Sequence, residues 1–141
     1  LIQLAKEGFA LCKQHGYIMW GLHPSTNRRS LKSANTVSTD FKFIAGPLFG
    51  IINDKSLRVS LDAAEDYERC IKVYLKYGGM IRFNRYTAMT TFYAKGGNES
   101  AGRTVDKEKR DKEALAHRYP KLLTTYVRPG GRTEVRFLKP S

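Results

Sequence analysis

Cysteine is scarce in this sequence, and the two residues present are not arranged to bind a metal. Cys12 and Cys70 lie far apart on two predicted helices, and neither has the spacing of a zinc site. Isolated cysteines of this kind are usually buried as free thiols in a reducing compartment. We therefore expect two buried free thiols and a cytoplasmic location.

Long hydrophobic runs are also missing. No stretch approaches the roughly 18 apolar residues of a membrane span, and we expect no signal peptide. The Walker A and GxGxxG patterns of nucleotide-binding loops are absent as well. We therefore expect no membrane partner. Because the chain enters a helical pattern directly at Leu1, we also expect a piece of a longer or split protein.

Acidic residues are few. The 141 residues include 13 acidic and 25 basic side chains, which give a formal net charge of +12. A charge this high favours polyanionic partners such as nucleic acid, although a merely solvated basic surface is the alternative. The hydrophobic fraction of 41% is enough for a folded core. Length and composition together predict one domain over residues 1–141.

Hydrophobic periodicity predicts a mixed α/β fold. Helical spacing ended by glycine or proline predicts helices over residues 1–15, 63–77 and 105–119. Strand patterns occupy residues 17–22, 40–45, 48–52, 80–87, 90–94, 122–127 and 133–138, the last two as a hairpin. Asp62 and Glu65 have the form of a capping box. We expect a single sheet of five or six strands flanked by helices.

Two adjacent carboxylates open the second long helix. Glu65 and Asp66 do not share a helical face, so one can stabilise the helix start while the other points into a cleft. A carboxylate in such a cleft can act as a general base toward a hydroxyl group. The simpler alternative is that both acids only offset the helix dipole.

Basic and amide side chains follow that helix. In an extended strand, Arg82, Asn84 and Tyr86 would share one face and Arg85 the other. A face of arginine, amide and phenol suits a phosphate or the edge of a base. The alternative is an exposed strand with ordinary polar residues.

Two polar loops add further candidates for phosphate binding. The glycine-rich segment 95–103 carries Lys95 and Arg103, and glycines let a ligand approach the backbone closely. The segment 23–38 carries Arg28 and Arg29 and is long for a connection, which favours a functional loop. Either loop could also be an idle connection. His23 is the first residue of the second loop. It is a weak candidate for a metal ligand, because a lone histidine is more often structural.

An ordered series of motifs resembles the C-terminal half of the glycosyltransferases that accompany TET/JBP-type oxygenases in phages and large viruses. Those proteins are GT-A-like enzymes, proposed to attach a sugar to hydroxymethylated pyrimidines in DNA. The resemblance extends over roughly residues 1–104. It rests on Trp20-Gly21 with Pro24 and Asn27, Phe43-Ile44-Ala45-Gly46, Phe49-Gly50-Ile51-Ile52-Asn53, Glu65-Asp66-Tyr67-Glu68-Arg69, Arg82-Phe83-Asn84-Arg85, Tyr93 with Gly96-Gly97, and Arg103-Thr104.

The resemblance implies roles for these residues. In GT-A enzymes a Glu-Asp pair at a helix start commonly supplies the base that deprotonates the acceptor, which here makes Asp66 the preferred base and Glu65 its neighbour. The resemblance also implies DNA as a partner, in a phage- or virus-infected cell, with the target base flipped out or single-stranded. Residues near the diphosphate or the DNA backbone would be Arg82, Asn84, Arg85, Lys95 and Arg103, with the loop of Arg28 and Arg29 as a clamp.

One part of such an enzyme is missing from this sequence. The resemblance implies a nucleotide-sugar donor and Mn²⁺ or Mg²⁺, held by an aspartate-rich DxD motif on a preceding half, and no DxD occurs here. We therefore expect the acceptor-side half of a transferase, completed by a second chain or an N-terminal half. The alternatives are a nucleic-acid-binding module without catalysis, using aromatics such as Phe83, Tyr86, Phe92 and Tyr93, and a metal-dependent nuclease using Asp54, Asp62 or Glu65.

Overall fold

The computed structural model describes residues 1–33, 35–45, 47–89 and 104–139 and shows a mixed α/β fold. Within these ranges the helices are α1 (Ile2–His15), α2 (Arg28–Ser33), α3 (Glu65–Tyr77) and α4 (Val105–Arg118). The strands are β1 (Met19–Leu22), β2 (Val37–Ser38), β3 (Phe49–Ile51), β4 (Ile81–Phe83), β5 (Leu123–Val127) and β6 (Thr133–Phe137). The predicted mixed-sheet fold with flanking helices is thus confirmed.

The main sheet has four strands in the order β2-β4-β1-β3. β1 and β4 run parallel at its centre, with Gly21 opposite Arg82, and the two outer strands are antiparallel to their neighbours. β5 and β6 form a separate antiparallel pair that packs against α4. The predicted single sheet of five or six strands is therefore wrong for the described part of the chain, because the hairpin pairs only with itself.

The three long helices follow their predicted positions. α1 is followed by Gly16 and α3 by Gly78, both in the left-handed conformation that glycine adopts without strain. α4 begins after Thr104, whose hydroxyl accepts a hydrogen bond from the backbone N–H of Lys107 at 3.1 Å, and it ends before Pro120. No helix in the described ranges has the length and apolar character needed to cross a membrane.

Hydrophobic side chains fill both sides of the main sheet. One cluster joins α1 to the sheet through Cys12, Trp20, Leu22, Ile81 and Phe83. The larger cluster joins the sheet to α3, α4 and the hairpin, and includes Ile44, Cys70, Ile71, Met80, Leu115 and Leu123. The two cysteines are buried and free, as expected.

Residues 40–45 do not form the predicted strand. A Cβ on Gly21 would lie 2.2 Å from Cγ2 of Ile44, so this segment rests directly on the sheet at a position that only glycine allows. The backbone N–H of Ile44 donates to Sγ of Cys70 at 3.4 Å rather than to a neighbouring strand. Phe41 and Phe43 alternate with polar residues, and Ile44 follows them. This pattern reflects packing of the segment across the face of the sheet and not pairing with a strand.

The predicted capping box is also wrong. α3 begins at Glu65, and its N-cap residue, Ala64, makes no side-chain cap hydrogen bond. Asp62 instead forms an ion pair with Lys107 at 2.7 Å, and the backbone N–H of Ala63 donates to Oδ2 of Asp111 at 3.0 Å. The approach to α3 is thus held by α4, which lies far away in the sequence.

The buried carboxylate of Glu68 holds the same approach from the other side. It accepts hydrogen bonds from the backbone N–H groups of Ser60 and Leu61 at 2.9 and 3.0 Å. It also pairs with Lys72 at 3.0 Å and with Arg118 of α4 at 3.4 Å. Burial alone would raise the pKa of Glu68, but the hydrogen bonds from Ser60, Lys72 and Leu61 outweigh it and leave the pKa below its usual value.

We expect Glu68→Gln to lower the free energy of unfolding by about 2–4 kcal/mol at pH 7, because a neutral amide leaves buried donors poorly paired. Denaturant unfolding would measure the loss. Since the folded pKa of Glu68 is depressed, its contribution is present above the unfolded pKa and is lost as the pH falls through the folded value. The difference between variant and wild type should therefore shrink in acid. Glu113→Gln, at an exposed position on α4, is the matched control, and an equal effect there would contradict this role.

Candidate functional site

Asp66 lies in the first turn of α3 and is partly buried. Its Oδ1 accepts a hydrogen bond from the backbone N–H of Tyr67 at 3.0 Å. Burial raises the pKa of Asp66 above its usual range, and the neighbouring charge of Glu65 raises it further. Hydrogen bonding from Tyr67 and the charge of Arg69 oppose the shift without cancelling it. Asp66 is therefore a more basic carboxylate than an exposed aspartate.

A cleft of about 500 Å³ opens beside the next residue, Tyr67. It lies between the segment 40–43, α3, β4 and the end of the hairpin. We call it the aromatic cleft; its lining residues are Asp40, Phe41, Lys42, Phe43, Tyr67, Arg82, Val135, Phe137, Leu138 and Lys139. Its volume falls in the range of small-molecule sites in proteins.

Three rings form a corner in this cleft. Phe43 and Tyr67 stack almost in parallel, with centroids 4.2 Å apart and an angle of 6°. Phe137 stands nearly perpendicular to both, at 86° and 81°, with both centroid distances 5.9 Å. The hydroxyl of Tyr67 stays protonated at neutral pH, because burial and then the charge of Asp66 raise its pKa above the usual value.

Arg82 is the predicted phosphate ligand that the structure places in the cleft. Its Nη1 donates to the carbonyl oxygen of Phe43 at 3.1 Å, and its Nε donates to Oδ1 of Asn84 at 2.7 Å. Burial lowers the pKa of Arg82, which the charge of Asp40 partly offsets. A guanidinium fixed on two sides in this way is pre-organised to meet an anion.

The structure gives Asn84 a different role from the one predicted. Its side chain is buried, and Nδ2 donates to the carbonyl oxygen of Asn35 at 2.9 Å and to Oγ of Ser38 at 2.7 Å. β4 ends at Phe83, so the predicted alternation of faces does not continue through Arg85 and Tyr86. Asn84 ties β2 to β4 and positions Arg82, while Arg85 is exposed beyond the strand and does not line the cleft.

The remaining predicted phosphate ligands are dispersed or not described. Arg28 and Arg29 are exposed on α2, a short helix within the segment predicted to be a loop. They do not line the aromatic cleft. Lys95 and Arg103 lie outside the described residues, as do the predicted strand 90–94 and the aromatics Phe92 and Tyr93. Arg82 is thus the one predicted ligand that the described structure places at the cleft.

His23 follows β1 beside the end of β4. Its Nδ1 accepts a hydrogen bond from the backbone N–H of Ser25 at 3.1 Å, which places the proton of the neutral ring on Nε2. Burial lowers the pKa of His23, and the charge of Arg82 lowers it further. The imidazole is therefore neutral at physiological pH.

The described residues do not fit a bound Mn²⁺ or Mg²⁺. Among them, no group of three or more His, Cys, Asp or Glu side chains comes together in a metal-binding arrangement. Asp54 and Asp62, considered above for a nuclease, pair with Lys76 at 2.6 Å and with Lys107 at 2.7 Å. We therefore derive no metal-dependent step within these residues.

Sequence reasoning missed most of the aromatic cleft. Phe43, Phe137 and the flanking Lys42 and Lys139 come from two segments almost a hundred residues apart. The only local signal was the aromatic-basic alternation of residues 41–43, which indicated a strand rather than a binding surface. The position of the hairpin against this segment could not be inferred from either segment alone.

No family model matches this chain, and neither a curated protein nor a solved structure shows significant similarity to it. The resemblance to TET/JBP-associated glycosyltransferases therefore stays a prediction.

We expect Asp66→Asn to keep or raise the thermal unfolding midpoint at pH 7. The folded pKa of Asp66 is raised, so ionisation disfavours the folded state as the pH rises through that value, and asparagine avoids this penalty. The difference from wild type should vanish in acid, where Asp66 is protonated. The control is Asp106→Asn, an exposed first-turn acid on α4, which should lose about 0.3–1 kcal/mol. A larger loss for Asp66→Asn at pH 7 would contradict the raised pKa.

Proposed function

We propose that this chain is the acceptor-side part of a glycosyltransferase that moves a sugar from a nucleotide-sugar to a hydroxymethylated pyrimidine in DNA. The observation that carries the proposal is the basic carboxylate of Asp66, one residue before the aromatic ring that lines a cationic cleft. A general base for a hydroxyl group must be partly shielded from water and near the acceptor. Asp66 is partly buried, and it directly precedes Tyr67, which lines the cleft.

In the proposed reaction, the hydroxymethyl oxygen of the base attacks the anomeric carbon of the donor. Asp66 accepts the proton that this oxygen loses. The bond between the anomeric carbon and the diphosphate oxygen breaks, and the diphosphate leaves with the electron pair. Glu65, partly buried beside Asp66, keeps the local potential negative, which favours the protonated form of Asp66 and makes its carboxylate a stronger proton acceptor.

The charge of the chain supports a DNA acceptor. A net charge of +12 draws polyanions to the surface, and neutralising phosphates supplies a large share of the affinity of nucleic-acid-binding proteins. Nucleotide-sugar and Mn²⁺ or Mg²⁺ would be held outside these residues, by a second chain or a further part of the same protein. The absent DxD motif supports this division, and no group of His, Cys, Asp or Glu in the described ranges is arranged to bind a metal.

A nucleic-acid-binding module without catalysis is the second candidate. It is favoured by one observation: Asp66 is not among the residues that line the aromatic cleft. Rings and cations suffice to bind a single strand, so binding alone needs no carboxylate. The two candidates therefore differ in whether Asp66 matters.

The first experiment tests transfer. Protein made from the complete open reading frame is incubated with single-stranded DNA containing hydroxymethylated pyrimidines, Mn²⁺ and a panel of nucleotide-hexoses, and the mass of the DNA is measured. We expect one added hexose per modified base, and Asp66→Asn to slow transfer by about 10²- to 10⁴-fold. Glu113→Gln, exposed on α4, is the control. Transfer that is unchanged in Asp66→Asn would contradict the role of Asp66 as the base.

The second experiment tests binding alone. We expect single-stranded DNA to bind with an affinity that falls as salt rises, with a slope of about −2 to −3 in log–log form if three or four phosphates are contacted. Fluorescence anisotropy at several salt concentrations measures it. Asp66→Asn should bind as well as wild type, since removing a negative charge does not weaken phosphate contacts. Affinity that is weak and independent of salt would exclude both candidates.

A further inference from the structure

We propose that the aromatic cleft holds one unstacked nucleotide of a DNA single strand, with its base against the rings and its phosphate on the cations. This inference rests on the proposed function for the identity of the nucleic acid. It adds a binding site that involves the hairpin, which lies beyond the region of the glycosyltransferase resemblance.

The shape of the cleft suits a flat heteroaromatic group. Phe43 and Tyr67 stack on each other in parallel, and Phe137 crosses them nearly at a right angle. Aromatic groups prefer offset-stacked and edge-to-face contacts, and because Phe43 and Tyr67 are only 4.2 Å apart, a nucleobase would lie against the outside of this group of rings and not between them. Phe41 stacks on the ring of Phe137 at 4.5 Å and supports it from behind. The volume of about 500 Å³ is large enough for a nucleotide.

The charges of the cleft suit a phosphate. Three cations, Lys42, Arg82 and Lys139, line it against one carboxylate, Asp40. Lys42 lies 3.5 Å from that carboxylate and is about one-third exposed, so its ammonium group remains accessible from the solvent. The side chain of Arg82 is held in the cleft by its hydrogen bonds to the carbonyl oxygen of Phe43 and to Asn84. A purely apolar ligand would gain nothing from these cations, whereas a nucleotide pairs with both rings and cations.

Tyr67 connects the cleft to Asp66, the proposed general base. Its hydroxyl is close enough to Asp66 for that charge to raise its pKa. A nucleobase that packs against the ring of Tyr67 would lie near the first turn of α3. Under the proposed function, the nucleotide in the cleft would lie close to the acceptor along the strand.

The test compares two ligands of equal phosphate number on the whole protein. The first is a thymidine hexanucleotide, and the second is the same hexamer with every base removed. We expect the abasic hexamer to bind about tenfold or more weakly, since stacking on aromatic side chains contributes strongly for each base. Equal affinity for the two hexamers, or for inorganic polyphosphate, would overturn the proposal, because it would reveal a site for any polyanion.

Matched variants locate the effect. The double variant Lys42→Ala/Lys139→Ala should reduce the magnitude of the log–log salt slope of binding by about 1 to 1.5. The control double variant Lys6→Ala/Lys13→Ala removes two exposed charges from α1, on the other side of the sheet. It should change the salt slope little. Phe43→Leu should abolish the preference for the hexamer with bases, and Phe9→Leu on α1 should keep it. Circular dichroism confirms that each variant is folded. The same loss in the α1 variants would overturn the location.

A crosslink supplies a readout that does not depend on variants. A hexamer carrying 5-iododeoxyuridine should crosslink on irradiation to Phe43, Tyr67 or Phe137, as identified by mass spectrometry of the digested protein. Crosslinks only to other residues would overturn the proposal. The two proposals can fail separately. If transfer depends on Asp66 but binding does not depend on the nucleobases, only the proposed nucleotide site in the cleft is overturned. If binding depends on the nucleobases but no sugar is transferred, only the proposed transferase function is overturned.

Discussion

The arrangement of the candidate site depends on one buried carboxylate. Glu68 joins the backbone at Ser60 and Leu61 to α3 and, through Arg118, to α4. It therefore sets both the start of α3 and the direction in which that helix leaves the preceding loop. Asp66 and Tyr67 lie within the same turn, so their positions follow from this anchor. Removing a carboxylate from such a network leaves backbone donors unpaired, which is why a single side chain can control a whole helix start.

A second constraint acts at the centre of the sheet. Gly21 leaves room for Ile44 to rest directly on β1, and this brings the carbonyl oxygen of Phe43 to Arg82, which lies opposite Gly21 on the parallel strand. The guanidinium is thereby fixed at the base of the aromatic cleft. A missing side chain on one strand thus positions a charged side chain on the next. The ring of Phe43, carried by the same segment, becomes one wall of the cleft.

Local patterns predicted the helices and the hairpin because those elements depend on short-range periodicity and on glycine or proline stops. They failed where distant contacts decide the outcome. Residues 40–45 alternate like a strand but pack across the sheet, and Asp62 pairs with α4 instead of capping α3. The polar side chain of Asn84 is buried and forms hydrogen bonds to other polar groups, whereas the strand pattern placed it on an exposed face. The aromatic cleft could not be predicted, since it exists only when the hairpin meets the segment 40–43.

Asp66 shows that the local environment and not the net charge determines its basicity. A protein with a charge of +12 would on average stabilise ionised carboxylates and lower their pKa values. Asp66 departs from this because burial and Glu65 oppose its ionisation. A DNA strand on the nearby cations would add negative charge and screen the positive field, and both effects raise the pKa of a neighbouring carboxylate further. Under the proposed function, binding of the acceptor would therefore make Asp66 a stronger base at the moment when a proton must be removed.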